Sequence, residues 1–217
     1  MKACVLVSGG IESSALVVDA LGRFRSVTPV YIRQYLFWEK AELFWLRRFL
    51  KIIRSSKLKT LCVLDLPMDD VYGTHWSTTG KKTPGAESKD AAVYLAGRNI
   101  VLLSKAAAFA KLNGITTIEI GVLKGNPFAD SSEIFFKKMS ETLSIGLSHA
   151  IRVETPFRRL KKETVIAKFQ NLPLQWTFSC LQPKGNRQCG RCNKCAERKS
   201  AFTKAGVPDR TLYKVDK

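Results

Sequence analysis

Short apolar segments alternate with segments of helical periodicity along most of this chain. Apolar runs at Ala3–Val7, Val27–Ile32, Leu61–Leu66 and Thr116–Val122 are typical of buried strands. The segments between them are long enough to form helices that cross from one strand to the next, and such crossovers produce parallel sheets covered on both faces. We therefore predict an α/β fold with a doubly wound parallel sheet.

The segments between and after these strands carry the helical pattern. Apolar spacing predicts helices at Ser13–Leu21, Glu39–Ile53, Asn99–Leu112, Ser132–Leu147 and Lys161–Phe169. A short fifth strand is expected at Ala150–Val153, and Ser131 or Ser132 is a candidate N-cap for the helix that follows them. The polar stretch from Met68 to Asp90, which contains three glycines and one proline, predicts a long loop or lid.

Composition excludes several classes of protein. The 217 residues include 36 Lys+Arg, 18 Asp+Glu and 45% hydrophobic residues, with a formal charge of +18, so the chain can bury a core and is not a disordered one. No apolar run approaches the roughly 20 residues of a membrane span, and the apolar start is too short for a signal peptide. We expect a cytoplasmic protein with no membrane partner.

Nucleic acid contact is left open but not favoured, since the basic residues form no single tail. A homodimer is also left open.

The segment Val7-Ser8-Gly9-Gly10-Ile11-Glu12-Ser13-Ser14 joins the first predicted strand to the first predicted helix. Glycines let a backbone approach an anion closely, and the start of a helix presents free N–H groups and a positive dipole. Serine hydroxyls add further donors, so the segment predicts a phosphate-binding loop. It has neither the Gly-Lys-[Ser/Thr] ending of a Walker loop nor the G-x-G-x-x-G of a dinucleotide site. A strand-to-helix turn without a ligand is the alternative.

Four cysteines crowd into sixteen residues near the end of the chain: Cys180, Cys189, Cys192 and Cys195. Four thiolates are the usual ligands of a closed structural zinc site, and clustered cysteines in a chain without a secretion signal favour metal binding. An iron–sulfur cluster or paired disulfides are the alternatives.

We expect a nucleotide-binding α/β domain at residues 1–176 and a zinc module at residues 177–217 packed on it. The isolated Cys4 and Cys62 are predicted to be small buried apolar residues.

These motifs together resemble a known family. The Ser-Gly-Gly loop resembles that of the PP-loop ATP pyrophosphatases. Gly97-Arg98-Asn99, Ser179-Cys180 and the Cys189-to-Arg198 segment follow in the order found in the 7-cyano-7-deazaguanine synthases. The resemblance implies an adenine nucleotide α-hydrolase-like fold with a zinc module. It also implies ATP, Mg²⁺ and Zn²⁺ as cofactors and conversion of a deazapurine carboxylate and ammonia to a nitrile, by way of an adenylated carboxylate and an amide.

The resemblance also implies roles for individual residues. The residues expected to bind ATP are Val7, Ser8, Gly9, Gly10, Ser13, Ser14, Arg98 and Asn99. The residues expected to act in catalysis are Ser13, Glu12 and Lys162, and those expected to contact the deazapurine are Asp130 and Phe135. The structural alternatives are a solvated helix start for Arg98, a helix cap for Asp130 and an exposed charge for Lys162.

The chain departs from the family pattern at three places. Glu12 stands where the family has Asp, which lengthens the side chain by one methylene. Phe128-Ala129-Asp130-Ser131-Ser132 replaces a Tyr-Pro-Asp-Cys-Arg segment, and Phe37-Trp38-Glu39 replaces Gln-Arg-His. The altered segments are those that the family uses to bind the carboxylate substrate, so two further hypotheses stay open. One is a related AMP-forming ligase with another carboxylate or an amide product. The other is a basic nucleic-acid-binding module on an inactive ATPase scaffold.

Overall fold

The computed structural model describes residues 1–214 and contains one five-stranded sheet in which every pairing is parallel. The strands are β1 (Lys2–Leu6), β2 (Ser26–Arg33), β3 (Cys62–Asp65), β4 (Thr117–Ile120) and β5 (Arg152–Glu154). Their order across the sheet is β3-β2-β1-β4-β5. The predicted doubly wound parallel sheet is therefore confirmed, although β5 begins two residues later than expected.

Helices connect the strands and cover the sheet. They are α1 (Ile11–Arg23), α2 (Glu39–Ile52), α3 (Asp69–Tyr72), α4 (Trp76–Thr79), α5 (Arg98–Leu112), α6 (Glu133–Leu147), α7 (Lys162–Lys168) and α8 (Asn193–Ala205). Five of these match the predicted helices within a few residues. The predicted long loop contains the two single-turn helices α3 and α4. Helix α8 was not predicted, because few of its residues are apolar and it begins inside the cysteine cluster.

The two faces of the sheet have separate apolar cores. Alternate residues of β1 point in opposite directions: Ala3 and Val5 join the core that contains α1, α7 and part of α8, whereas Cys4 and Leu6 join the core that contains α5 and α6. This alternation follows from the two-residue period of a strand. Cys4 is fully buried as predicted, and Cys62 is half-buried.

A third apolar cluster joins the cysteine-rich segment to the rest of the protein. Trp45 of α2 packs with Phe178 and Cys180, and its indole nitrogen donates a hydrogen bond to the carbonyl oxygen of Asn186 at 2.5 Å. The proposed boundary at residue 177 stays a prediction, since α8 also contributes Ala201 and Phe202 to the core against α1. Within residues 1–214, no helix has the length and apolar character needed to cross a bilayer.

Helix α6 has a side-chain cap that can be tested. Ser132 Oγ accepts a hydrogen bond from the backbone N–H of Phe135 at 3.2 Å, as predicted from the sequence. Ser132→Ala is expected to lower the free energy of unfolding by about 1 kcal/mol, because a free N–H is left at the helix start. Chemical denaturation would measure the loss. The exposed Ser56→Ala should leave stability unchanged, and an equal loss in both variants would contradict the capping role.

Candidate functional site

A cleft of about 740 Å³ opens at the carboxyl edge of the sheet. Strand β1 lies between β2 and β4, whose connections run to opposite faces, and ligands of doubly wound sheets bind in the crevice that this reversal creates. The residues on its walls include Ser8, Gly10, Glu12, Trp38, Glu42, Trp76, Arg98, Lys124, Phe128, Lys162, Phe178, Lys194 and Glu197. The cleft thus brings the predicted phosphate loop together with the segment that carries the cysteines.

The loop between β1 and α1 has the compact shape expected of an anion site. Gly9 has a φ of +72°, and a Cβ there would lie 3.3 Å from the carbonyl oxygen of Glu42, so a side chain is excluded by both conformation and space. Ser13 Oγ accepts a hydrogen bond from the backbone N–H of Ser8 at 3.1 Å and donates one to the carbonyl of Gly10 at 3.3 Å. Helix α1 then presents its first N–H groups at the cleft.

Two observations indicate that other elements pack closely around the loop. The carbonyl oxygen of Gly9 accepts a hydrogen bond from the backbone N–H of Phe178 at 2.7 Å. A Cβ on Gly121, directly after β4, would lie 3.2 Å from the backbone nitrogen of Ser13. Ser14 Oγ is buried and makes no hydrogen bond among the described residues, so the first turn of α1 holds one free hydroxyl group.

Lys162 lies at the start of α7 and is held by two carboxylates. Its ammonium group is 2.8 Å from Glu12 and 2.5 Å from Glu197, and Glu197 is also paired with Lys194 at 2.7 Å. Burial alone lowers the pKa of Lys162, but the two carboxylates outweigh that effect and hold the pKa above its ordinary value. Lys162 is therefore a cation beside the loop rather than an exposed surface charge.

Asp130 interacts with the start of α5. Its carboxylate accepts a hydrogen bond from the backbone N–H of Asn99 at 3.2 Å, and the Asn99 amide donates to the Asp130 carbonyl at 2.8 Å. The carboxylate thus caps α5. The Nε of the neighbouring Arg98 donates to Gln34 at 3.1 Å, and Arg98 lines the cleft. The residues that line the cleft do not include seven of the predicted site residues: Val7, Gly9, Ser13, Ser14, Asn99, Asp130 and Phe135. Their predicted ligand contacts stay predictions.

Phe135 packs on α6 beside Phe136, with ring centroids 5.2 Å apart, in the core on the α5 and α6 face. The two histidines have structural contacts. His75 Nδ1 accepts from the backbone N–H of Ser77 at the start of α4, and His149 Nε2 lies 2.9 Å from the carbonyl oxygen of Ile115.

Two buried carboxyl groups of α2 were not identified from the sequence as site residues. Glu39 accepts hydrogen bonds from the backbone N–H groups of Gln34 and Tyr35 at 2.6 and 3.0 Å, so it holds the turn after β2. Glu42 lines the cleft and accepts a hydrogen bond from the Tyr31 hydroxyl at 2.6 Å. Burial raises the pKa of Glu42 to about 8, against the effects of Tyr31 and Arg98.

The aromatic wall of the cleft was also not identified from the sequence. Trp38 and Trp76 stack with ring centroids 5.8 Å apart, and both line the cleft. Trp76 belongs to α4, inside the segment predicted as a loop or lid. No sequence signal identifies this pair, because the sequence does not show that Trp38, directly before α2, meets Trp76 in the predicted loop.

The four clustered cysteines fit a tetrahedral metal site. Their Sγ atoms all lie within 4.8 Å of one another, and the Cys189–Cys195 and Cys180–Cys192 pairs are 4.0 Å apart. Zn–S bonds of about 2.3 Å in a tetrahedron separate the sulfur atoms by about 3.8 Å. Backbone N–H groups of Cys189 and Cys192 donate to sulfur at 3.1 and 3.3 Å, which stabilises thiolates. All four side chains are buried.

A buried arginine fixes the segment around the cluster. Arg198 of α8 is completely buried, and its guanidinium donates to Thr177 Oγ1 at 2.8 Å, the carbonyl oxygen of Leu174 at 2.7 Å and Thr211 Oγ1 at 2.9 Å. Its Nε lies 3.8 Å from a carboxylate oxygen of Asp209. Because these partners come from two parts of the chain, one before and one after the cysteine cluster, Arg198 orients the cysteine-rich segment and does not bind a ligand in the cleft.

Comparisons with known proteins agree with this geometry. The family described as queuosine biosynthesis protein QueC matches residues 2–206. The 7-cyano-7-deazaguanine synthase of Nautilia profundicola is 30% identical over 98% of each chain, and that of Nitratiruptor sp. is 31% identical over 99% of each chain. The 7-cyano-7-deazaguanine synthase of Methanocaldococcus jannaschii is 26% identical over 98% of this chain and 99% of its own length.

Two solved structures share the fold. A 4-thiouridine synthetase in complex with RNA and ATP superposes with a TM-score of 0.52 at 17% identity, over 94% of this chain and 50% of that one. A structure described as a predicted subunit of tRNA methyltransferase from Methanocaldococcus jannaschii has a TM-score of 0.51 at 16% identity, over 100% and 94% of the two chains. Identities this low support the fold alone.

The phosphate loop can be tested by a double substitution. Gly10→Ala combined with Ser13→Ala is expected to abolish ATP turnover while the protein stays folded. A Cβ on Gly10 would lie 3.3 Å from both Ser8 Oγ and the Glu12 carboxylate, and loss of the Ser13 hydroxyl frees the N–H of Ser8. Pyrophosphate release and circular dichroism would measure the two properties. The exposed Ser104→Ala is the control, and unchanged turnover in the double variant would exclude the loop from the active site.

The metal site predicts a measurable zinc content. We expect about one zinc per chain, since the four thiolates form one closed site. Cys192→Ser should lower both the zinc content and the midpoint of thermal unfolding, because metal binding stabilises the folded state. Elemental analysis and calorimetry would measure these changes, with the half-buried Cys62→Ser as the control. Iron with visible absorbance, or a Cys192→Ser protein with wild-type stability, would contradict the assignment.

Proposed function

The chain belongs to the queuosine biosynthesis protein QueC family and is an enzyme of the carbon–nitrogen ligase class, and on that premise we propose its reaction in detail. It converts 7-carboxy-7-deazaguanine and ammonia to 7-cyano-7-deazaguanine at the expense of ATP. The carboxylate is first adenylated, ammonia then gives the amide, and a second ATP supports dehydration of the amide to the nitrile.

The observation that carries the proposal is that one cleft contains the loop, Arg98 and Lys162. Adenylation of a carboxylate places charge on the phosphates as pyrophosphate leaves, so the site needs fixed donors and cations around them. The loop supplies backbone N–H groups at the start of α1 together with the hydroxyls of Ser8 and Ser13. Lys162 supplies a cation held in place by two carboxylates.

We assign individual roles in ATP binding from the loop motif and the resemblance to the family. Ser8, Gly9, Gly10, Ser13 and Ser14 bind the pyrophosphate part of ATP. Arg98 lies across the cleft on α5 and contacts the nucleotide with the guanidinium nitrogens that Gln34 leaves available. Val7 directly follows β1 and supports the loop, and Asn99 positions the start of α5 through its two hydrogen bonds with Asp130.

Two metals belong to the proposal. Mg²⁺ would accompany the phosphates of ATP, with Glu12 as the nearest carboxylate of the loop, and would neutralise charge there. Carboxylate oxygens are the ligands that Mg²⁺ prefers. Zn²⁺ would be held by the four cysteines and would stabilise the segment whose Phe178 supports Gly9. Glu12 reaches Lys162 at 2.8 Å in the structure, so the longer side chain is accommodated by the ion pair.

A second candidate is a related AMP-forming ligase that uses another carboxylate or stops at the amide. The observation that favours it is the altered acceptor segment, in which the carboxylate of Asp130 is engaged with Asn99 of α5. Ser131 and Ser132 replace a cysteine and an arginine of the family, and an arginine is a strong partner for a carboxylated base. A basic nucleic-acid-binding module, suggested by the charge of +18, and a homodimer stay predictions.

The reaction can be tested with purified protein, Mg-ATP, ammonium and 7-carboxy-7-deazaguanine, with the base followed by mass spectrometry. We expect the nitrile to appear together with AMP and pyrophosphate. Accumulation of amide alone would support the second candidate. An unchanged base with ATP still bound would contradict the proposal, and ATP-independent, salt-sensitive RNA binding would favour the nucleic-acid module.

A neighbouring pair of lysines provides a matched control for this assay. Lys162→Ala should lower the rate about 100-fold, because a charge that stabilises the leaving pyrophosphate is lost. Lys161 also lines the cleft but is exposed, so Lys161→Ala should retain most of the activity. Equal losses in the two variants would remove the specific role of Lys162.

A further inference from the structure

Glu42 is a buried carboxyl group in the cleft that phosphate binding and metal binding leave without a role. Its side chain is 7% exposed, and it lies against the loop: a Cβ on Gly9 would be 3.4 Å from its Cγ. Ser8 and Gly10 line the same space. A ligand whose phosphates are held by the loop therefore places its reacting end within the same cleft as this carboxyl group.

The surroundings of Glu42 suit a group that gains and loses a proton. Tyr31 of β2 donates a hydrogen bond to Oε2 at 2.6 Å, and within residues 1–214 it is the one hydrogen bond that the carboxyl group makes. Oε1 thus keeps its lone pairs for a ligand. The charged and titratable groups that face it are Tyr31 from β2, Glu39 from α2 itself and Arg98 from α5. Burial outweighs Tyr31 and Arg98 and raises the pKa of Glu42 to about 8.

We propose that Glu42 accepts the proton from the amine that attacks the activated carboxylate, an inference that rests on the proposed function. The nitrogen of ammonia forms a bond to the acyl carbon of the acyl-adenylate, the bond from that carbon to the phosphate oxygen breaks, and AMP leaves with the electron pair. The nitrogen is then positively charged, and its proton passes to the Glu42 carboxylate, which leaves a neutral amide.

Three neighbouring carboxyl groups, Glu12, Glu197 and Glu39, fit this role less well. Glu12 and Glu197 are both ion-paired with Lys162 at 2.8 and 2.5 Å, so both carboxylates are already engaged by a cation. Lys162 and Lys194 also hold the pKa of Glu197 well below its ordinary value. Glu39 is occupied by two backbone N–H groups. A general base works best when its pKa is close to the working pH, and Glu42 meets that condition.

The inference is tested by separating adenylation from amide formation. Exchange of labelled pyrophosphate into ATP, measured with 7-carboxy-7-deazaguanine, reports adenylation alone. Glu42→Gln keeps the size of the side chain and an acceptor for the Tyr31 hydroxyl, so exchange should stay within about twofold of wild type. Amide formation from ammonia should fall about 100-fold or more, which is the usual contribution of a general base. Glu141→Gln, at an exposed ion pair of α6, is the control and should change neither rate.

The pH dependence of the rate of amide formation distinguishes proton transfer by Glu42 from a purely structural role, which would not produce it. Hydroxylamine replaces ammonia as the amine, since it stays uncharged between about pH 7 and pH 9 and its own ionisation does not interfere. The wild-type rate should rise with pH through about 8 as Glu42 ionises, and the rise should disappear in Glu42→Gln. Tyr31→Phe should move the rise to higher pH, because the hydrogen bond from Tyr31 lowers the pKa of Glu42.

Several outcomes overturn the inference. Unchanged amide formation in Glu42→Gln does so, and so does an equal loss of exchange and amide formation, which would assign Glu42 to nucleotide binding or folding. A rise with pH that survives in Glu42→Gln, or that is unmoved in Tyr31→Phe, also contradicts it. Failure of the proposed function gives a different result: the wild-type protein would show no pyrophosphate exchange that depends on 7-carboxy-7-deazaguanine. In that case both proposals would be wrong.

Discussion

The parallel pairing of β1 with a neighbour on each side is the constraint on which the cleft depends. Because β2 and β4 both run beside β1 in the same direction, the chain must leave β1 at the edge where the other two strands also end. The turn has no room for a side chain at Gly9, which lies against Glu42, and the approach of Gly121 to Ser13 is equally close. A rigid frame therefore surrounds the first N–H groups of α1 before any ligand binds.

The cysteine-rich segment completes this frame. Phe178 donates its backbone N–H to Gly9, Cys180 lines the cleft, and Glu197 of α8 reaches Lys162 of α7. The buried guanidinium of Arg198 satisfies carbonyl and hydroxyl oxygens from residues before and after the cluster, so a large desolvation cost is offset by well-formed hydrogen bonds. A metal bound by the four thiols would act on the cleft by fixing the position of this segment, with no open ligand site required.

The part of the cleft proposed to bind ATP and the part proposed to bind the carboxylate substrate differ in how closely their sequences follow the family. On the nucleotide side, Glu12 replaces an aspartate and is accommodated by Lys162. On the acceptor side, the segment from Phe128 to Ser132 lacks a cysteine and an arginine, and the carboxylate of Asp130 is used to cap α5. The stacked Trp38 and Trp76 and the buried Glu42 line the same cleft. In the proposed reaction, Glu42 is the proton acceptor for the amine.

Local periodicity and motif spacing determined the alternation of strands and helices, the glycine-rich turn between β1 and α1 and the clustering of the four cysteines, because each depends on residues that are near one another in the chain. Helix α8 was not predicted, because its residues are buried by contacts with distant parts of the chain and it has no clear apolar stripe of its own. Only the tertiary structure decided that Glu42 meets Tyr31 beside the loop, that Glu197 helps to hold Lys162 and that Trp76 stacks on Trp38. Such contacts join separate elements, and their distances and the resulting pKa values follow from three-dimensional packing and burial, which no local sequence pattern encodes.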